Sequence, residues 1–200
     1  IASFAEIPTI EKIEFPSLQF IRASAFQNCK GLTTAILHEC INVEHQAFEG
    51  CISLSQIEMP ILRSISALAF KSINAEILDF PLLDQIYNAN YSGIESFGGH
   101  FMDCTNLKSI SAPMLKNVTS FMFSGCTSLS SINMENVNDI GEKAFEGCES
   151  YKKLNFPNLL KVKSHLFENY GLFTSVELNS VEYIGYYAFG SCEYLEDVRF

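Results

Sequence analysis

The stretch Cys51-Ile-Ser-Leu54-Ser-Gln-Ile57-Glu-Met59-Pro60-Ile-Leu62-Arg-Ser-Ile65-Ser-Ala-Leu-Ala69-Phe70 decides how the rest of the chain is read. Its first part alternates, with Ile57 and Met59 on one side and Gln56 and Glu58 on the other. That is the pattern of a half-buried strand. Pro60 marks where the strand stops, because proline cannot donate to a sheet ladder. The second part carries Leu62, Ile65 and Ala69-Phe70. It is too short for a full helix and reads as an irregular loop with a short helical turn.

The same stretch returns along the whole chain. Phenylalanine recurs at Phe4, Phe26, Phe48, Phe70, Phe101, Phe123, Phe145, Phe167 and Phe189, with every gap 22 residues except the 31 between Phe70 and Phe101. A second ladder follows three residues later at Ile7, Cys29, Cys51, Ile73, Cys104, Cys126, Cys148, Tyr170 and Cys192. Such a period marks a solenoid, in which each repeat buries its apolar face against the next. The expected fold is an α/β-type solenoid, mostly β. About nine short parallel strands lie near 10–15, 33–37, 55–59, 77–80, 108–112, 130–134, 152–156, 174–178 and 196–200 on a concave face. Irregular or short helical turns cross the convex side. The phenylalanines stack inside, each contributing about 2 kcal/mol by burial.

Phe80-Pro81, Leu83 and Ile86 match Met59-Pro60, Leu62 and Ile65 at an offset of 21. One residue is therefore missing near 74–77, and about ten are added near 87–100. The added stretch, 88–97, is rich in Asn, Ser and Gly and reads as a surface loop. Insertions in repeat proteins often map to a binding face.

Composition narrows the function classes. The formal net charge is −10, which argues against nucleic acid and anionic lipid as partners, since both need clustered Lys and Arg. No apolar run approaches the length of a membrane-spanning helix. The whole chain, 1–200, reads as a single solenoid, and its open ends lead us to expect a segment of a longer protein. The uncovered final strand, Val198 to Phe200, invites end-to-end self-association.

The repeat resembles the BspA-like, or Treponema pallidum-type, leucine-rich repeats. It does so at Cys51 to Phe70, at Cys126-Thr-Ser-Leu129 through Ala144-Phe145-Glu-Gly-Cys148, and at Ile184-Gly185-Tyr-Tyr-Ala188-Phe189-Gly-Ser-Cys192. The resemblance implies a right-handed leucine-rich-repeat superhelix located at a cell surface or outside the cell. It implies adhesion to a protein or glycan on another cell or matrix, and it brings no catalytic residues and no cofactor. Departures fall near Ile73 to Glu76, in the insert, and at Tyr170 to Phe173. Apolar residues fill most of these slots and leave the fold unthreatened, with Glu76 the exception in a leucine slot.

The cysteines read as small buried hydrophobes, and no CxxC spacing suggests zinc. Cys40 takes a core slot held elsewhere by leucine. His100, next to Gly98-Gly99 beside the insert, reads as an exposed loop residue. No nucleophile, base and orienting group cluster, so an enzyme is not expected.

The outward strand positions form a column on the concave sheet. Its candidate ligand-binding members are Glu14, Glu58, Asp79, Ser111, Asn133, Asn155 and Glu177. Glu58 and Asp79 are expected on neighbouring strands, where like charges repel, which points to a cationic partner or a bound cation, the plainer reading being a solvated sheet face. Partner binding through this face or the 88–97 loop is the leading expectation. The alternative is a structural spacer that presents another domain and has no tight-binding face.

Overall fold

In the computed structural model, residues 4–91, 94–168, 170 and 173–200 are described, without the side chains of 90, 91 and 94–96. The chain winds as a parallel β-solenoid of about eight turns. All nine expected strands are present: Lys12–Glu14, Thr34–Ile36, Gln56–Glu58, Ile77–Asp79, Ser109–Ser111, Ser131–Asn133, Lys153–Asn155, Ser175–Glu177 and Asp197–Arg199. They form the first side of the coil. Their middle residues point inward, as at Ile13, Leu78 and Leu154, which are buried between exposed neighbours.

A second row of strands was not legible in the sequence. It comprises Phe20–Ile21, Asn42–Val43, Ser64–Ser66, Gln85–Tyr87, Asn117–Val118, Asp139–Ile140, Lys161–Val162 and Tyr183–Ile184. All but the last carry one inward β-branched residue, such as the fully buried Val43, Ile65 and Val162; in Tyr183–Ile184 both residues are exposed.

The third side corrects the expected fold class. No helix occurs among the described residues, so the α/β label and the short helical turns do not hold. The turns instead carry left-handed residues on both sides of the phenylalanine. Ser24, Gln46, Leu68, Phe121, Lys143, His165 and Tyr187 lie two before it; Asn28, Ser72, Asp103 and Ser191 lie two after it, with Gly50, Gly125 and Gly147 in the same later slot. Left-handed residues stop a right-handed helix from propagating. The freed amides pair with the next repeat. Those of Phe26, Phe48 and Phe123 donate to the carbonyls of Ala47, Ala69 and Ala144 at 2.9, 2.8 and 2.8 Å.

The phenylalanine rings stack from Phe4 to Phe145, with centroids 5.4 to 5.7 Å apart and planes 3° to 11° from parallel. Phe48, Phe70, Phe101 and Phe123 are fully buried. The cysteine slot adds a polar contact that its apolar alternatives do not make. The thiols of Cys29, Cys51, Cys104, Cys126, Cys148 and Cys192 each donate to the carbonyl of the preceding repeat's phenylalanine, at 2.9 to 3.2 Å. All seven cysteines are free thiols. Burial pushes the Cys51 and Cys148 thiols up to about 12, which keeps them protonated as donors.

Two junctions interrupt the regular winding. At the first, Ala75 fills the leucine slot and is buried, while Glu76 sits one place later. Glu76 is therefore exposed, corrects the slot assigned to it, and pairs with Lys108 at 2.7 Å. The missing residue separates the strands Gln56–Glu58 and Ile77–Asp79 into different sheets. The added residues form an antiparallel hairpin, Ala89–Tyr91 with Ile94–Phe97, rather than an irregular loop. Across this junction Phe70 and Phe101 still stack at 5.7 Å, and the Phe70 amide still donates forward, to the His100 carbonyl at 3.0 Å.

The second junction, between Phe145 and Phe167, has regular spacing and an interrupted ladder. First-row pairing stops at Ser131–Asn133 and resumes at Lys153–Asn155; second-row pairing stops at Asp139–Ile140 and resumes at Lys161–Val162. The Phe145 amide goes to the Tyr170 hydroxyl at 3.3 Å instead of to the next main chain. Among the described residues, Phe145 stacks forward not on Phe167 but on Tyr151 and Phe156, at 5.3 and 5.9 Å. The cause is side-chain size. Tyr151 and Phe173 occupy leucine slots and Tyr170 a cysteine slot. Tyr170 stacks on Phe173 at 5.8 Å, while Tyr151 meets Phe173 edge-on and both Tyr170 and Phe173 meet Phe167 edge-on. These replacements leave the solenoid intact but interrupt its main-chain ladders on every side, where side-chain contacts such as Lys163 with Asp139 at 2.6 Å and Asn158 with the Glu135 carbonyl at 2.7 Å still bridge.

Candidate functional site

Extended backbone turns alternate side chains to opposite faces, so the candidate residues on the first side all point outward. The register is the expected one within each sheet. Glu14 pairs with Ile36 and Ile36 with Glu58; Asp79 pairs with Ser111 and Ser111 with Asn133; Asn155 pairs with Glu177 and Glu177 with Arg199. The seven residues therefore form three groups rather than one column. Glu58 and Asp79 lie at the facing edges of two sheets and share no ladder.

Each acidic residue in the first group already has a local partner. Glu14 binds Lys12 at 2.7 Å, and this hydrogen bond and charge hold its carboxyl below the usual range. Glu58 accepts from the Gln56 amide at 2.9 Å and faces the His38 ring at 3.2 Å. Asp79 makes no ion pair among the described residues. In the middle group the Asn133 amide donates to Ser111 at 3.3 Å. In the last group Glu177 accepts from Asn179 at 3.4 Å, while Arg199 pairs with Asp197 at 3.0 Å. These are exposed, hydrated contacts, each contributing little to stability. Among the described residues no three His, Cys, Asp or Glu side chains converge to hold a metal ion.

His100 is not the exposed loop residue expected. It is fully buried in the slot before Phe101, which alanine holds at Ala25, Ala47 and Ala69. Its Nε2 lies 3.3 Å from the Tyr87 carbonyl and its Nδ1 3.1 Å from the Thr119 hydroxyl. Burial pushes its pKa down to about 4, so the ring is neutral near pH 7. Its position directly before a ladder phenylalanine was the sequence signal for burial. The tip of the 88–97 stretch, Ser92-Gly93, lies outside the described residues.

A feature unrecognised in the sequence lies at the second junction. Where the third-side ladder is interrupted, a cleft of about 640 Å³ opens between the turns around Phe145 and Phe167. Glu142, Glu146, Glu149 and Glu168 line it, with Lys143 and His165; the half-buried Tyr170 ring forms part of its wall. Lys143 pairs with Glu146 at 3.3 Å and His165 with Glu168 at 2.6 Å. Tyr151, Tyr170 and Phe173 were visible as departures from the repeat, but their size mattered more than their polarity.

Comparison with known proteins agrees with this architecture. No curated protein matches the chain. Among solved structures, a leucine-rich repeat protein from Bacteroides ovatus aligns with a TM-score of 0.66 and 22% identity, over 90% of this chain and 52% of that one. The chain thus spans about half the length of that protein. The T. pallidum leucine rich repeat protein aligns at 0.58 and 22% identity, over 93% of this chain and 78% of that one. A leucine rich cell surface protein from Faecalibacterium prausnitzii aligns at 0.57 and 19%, over 95% and 69%. At these identities the likeness concerns the fold. The model of the BspA type leucine rich repeat region matches residues 1–97 and 98–200, in six copies. With that match over its entire length, the chain belongs to the BspA-type leucine-rich repeat proteins.

Proposed function

We propose that this chain is an interaction module, secreted or displayed at a cell surface, whose first side binds a protein or glycan on another cell or matrix. The observation that supports this is the first row itself. Polar side chains face outward in register within each sheet, short ones at Ser109–Ser111 and Ser131–Asn133, over an inward set that is mostly buried. Such a face loses little side-chain freedom on binding, which favours recognition. The surface location rests on family membership and on the Faecalibacterium relative, itself a cell surface protein. The module acts by holding a partner rather than by catalysis.

The test is adhesion of the full repeat region to host-type cells and immobilised matrix components. The comparison is a Glu58→Lys, Asp79→Lys variant that keeps its far-UV circular dichroism. Loss of adhesion in the variant supports first-side recognition at the edges of the two sheets. Equal adhesion by both moves the partner to the 89–97 hairpin or another side. No adhesion by either replaces this reading with that of a spacer.

A further inference from the structure

The cleft at the second junction is independent of the first side and lies on a different face. Its lining sets four carboxylates, Glu142, Glu146, Glu149 and Glu168, against one ammonium, Lys143, and an imidazole, His165. The lysine and histidine each engage one carboxylate, and Glu142 and Glu149 make no ion pair among the described residues. A concave site with that excess charge concentrates cations, because low-dielectric walls focus the field. The half-buried Tyr170 ring offers an apolar surface and a π face to a cationic side chain.

The main chain adds a second, separate requirement. In the other turns, amides at these positions donate to the following repeat: Ser24 to His45, Gln46 to Ala67, Leu68 to Gly98 and Phe121 to Glu142. Across the cleft, among the described residues, Lys143 makes no such bond to Ser164, and Leu166 receives none from Phe145. An occupant with its own alternating amides and carbonyls replaces what the two turns no longer exchange, as a strand added to an open edge does. A volume of about 640 Å³ exceeds what one guanidinium fills.

We propose that this cleft binds an extended basic peptide segment of a partner protein, its main chain along the interrupted ladder and its Arg or Lys side chains among Glu142, Glu146, Glu149 and Glu168. The probe is a fluorescein-labelled octapeptide of alternating arginine and serine, read by fluorescence anisotropy at low salt against the whole chain. The expected result is saturable binding, weakened at least tenfold in Glu146→Gln, Glu168→Gln and unchanged in the control Glu39→Gln, Asp84→Asn, exposed acids outside both the cleft and the candidate first-side column. Tyr151→Leu, Phe173→Leu, which restores the leucine slots, is expected to lose the site. If that variant does not fold, the glutamine pair, which changes side chains at the cleft mouth, still decides the matter. Any of three results would overturn the proposal: no binding, equal loss in the Glu39→Gln, Asp84→Asn control, or full displacement by equimolar spermine, which has no peptide main chain.

Discussion

The two junctions teach opposite lessons about spacing. Between Phe70 and Phe101 the repeat length is wrong by nine residues, yet the rings stack and the third-side amides stay paired. Between Phe145 and Phe167 the length is regular, yet rings and amides lose their ladder; both strand rows break at each junction, so the third side alone separates the two. An insertion on one side of a coil can be extruded as a hairpin, because only its ends must meet the neighbouring repeats. Three oversized rings in interior slots have nowhere to go except between the repeats. Continuity of the third-side ladder thus depends on side-chain volume at the core slots more than on repeat length, whereas the strand rows respond to both.

The comparison is broken most forcefully by removing a ring from the continuous part. Phe123→Ala leaves a cavity in a fully buried stack and is expected to cost about 3–5 kcal/mol. Phe4, at 41% exposure, is expected to cost far less when truncated. Urea denaturation of both variants measures the difference, and equal costs would contradict the stack as the main source of stability.

A pH titration sharpens the account of the first junction. His100 titrates near 6.5 when unfolded and at about 4 when folded. Between those values the unfolded chain binds the extra proton, so stability is complete above about 6.5 and falls as pH drops toward 4. The full loss is on the order of 3 kcal/mol. His100→Met, which copies Met122 from the next repeat's equivalent slot, is expected to flatten that part of the profile in thermal melts. An unchanged profile would assign the pH dependence to other groups.

Repair of the second junction is a smaller change. Tyr151→Leu, Tyr170→Cys, Phe173→Leu restores the slots of the regular repeats. Each main-chain bond regained contributes about 1 kcal/mol, partly offset by the aromatic area removed. Denaturation midpoints should rise modestly, and basic-peptide binding should disappear. The smallest effect is expected for Cys126→Ala, which removes one thiol donor and a little volume, at a cost of about 1–2 kcal/mol. A Cys126→Ser variant as stable as the parent would show that the donor matters more than the sulfur's apolar character.

Much of this fold was legible because the nine first-row strands alternate visibly, as at Gln56-Ile57-Glu58. The second row escaped notice because each strand offers only one β-branched signal, such as Val43 or Val118, within two or three residues. The helical turns were a wrong expectation for a definite reason. The left-handed positions Ser24, Leu68, Phe121 and His165 share no chemistry that marks them. Only the later slot, with Asn28, Gly50, Asp103, Gly125 and Gly147, shows the Asn, Asp and Gly bias such backbones favour. On the first side the outward residues were identified correctly, but the split between Glu58 and Asp79 depends on ladder geometry that a one-residue offset only hints at. The cleft stayed hidden because tyrosine or phenylalanine in place of leucine or cysteine preserves an apolar pattern while changing volume.

Amide hydrogen exchange, resolved by residue, tests the central contrast directly. The account predicts slow exchange at Gln46, Leu68 and Phe121, whose amides donate across repeats on either side of the first junction, and exchange at least tenfold faster at Lys143 in the equivalent position of the second. Equal protection at Lys143 would mean that the ladder is continuous there, and would contradict both the interrupted junction and the cleft built on it.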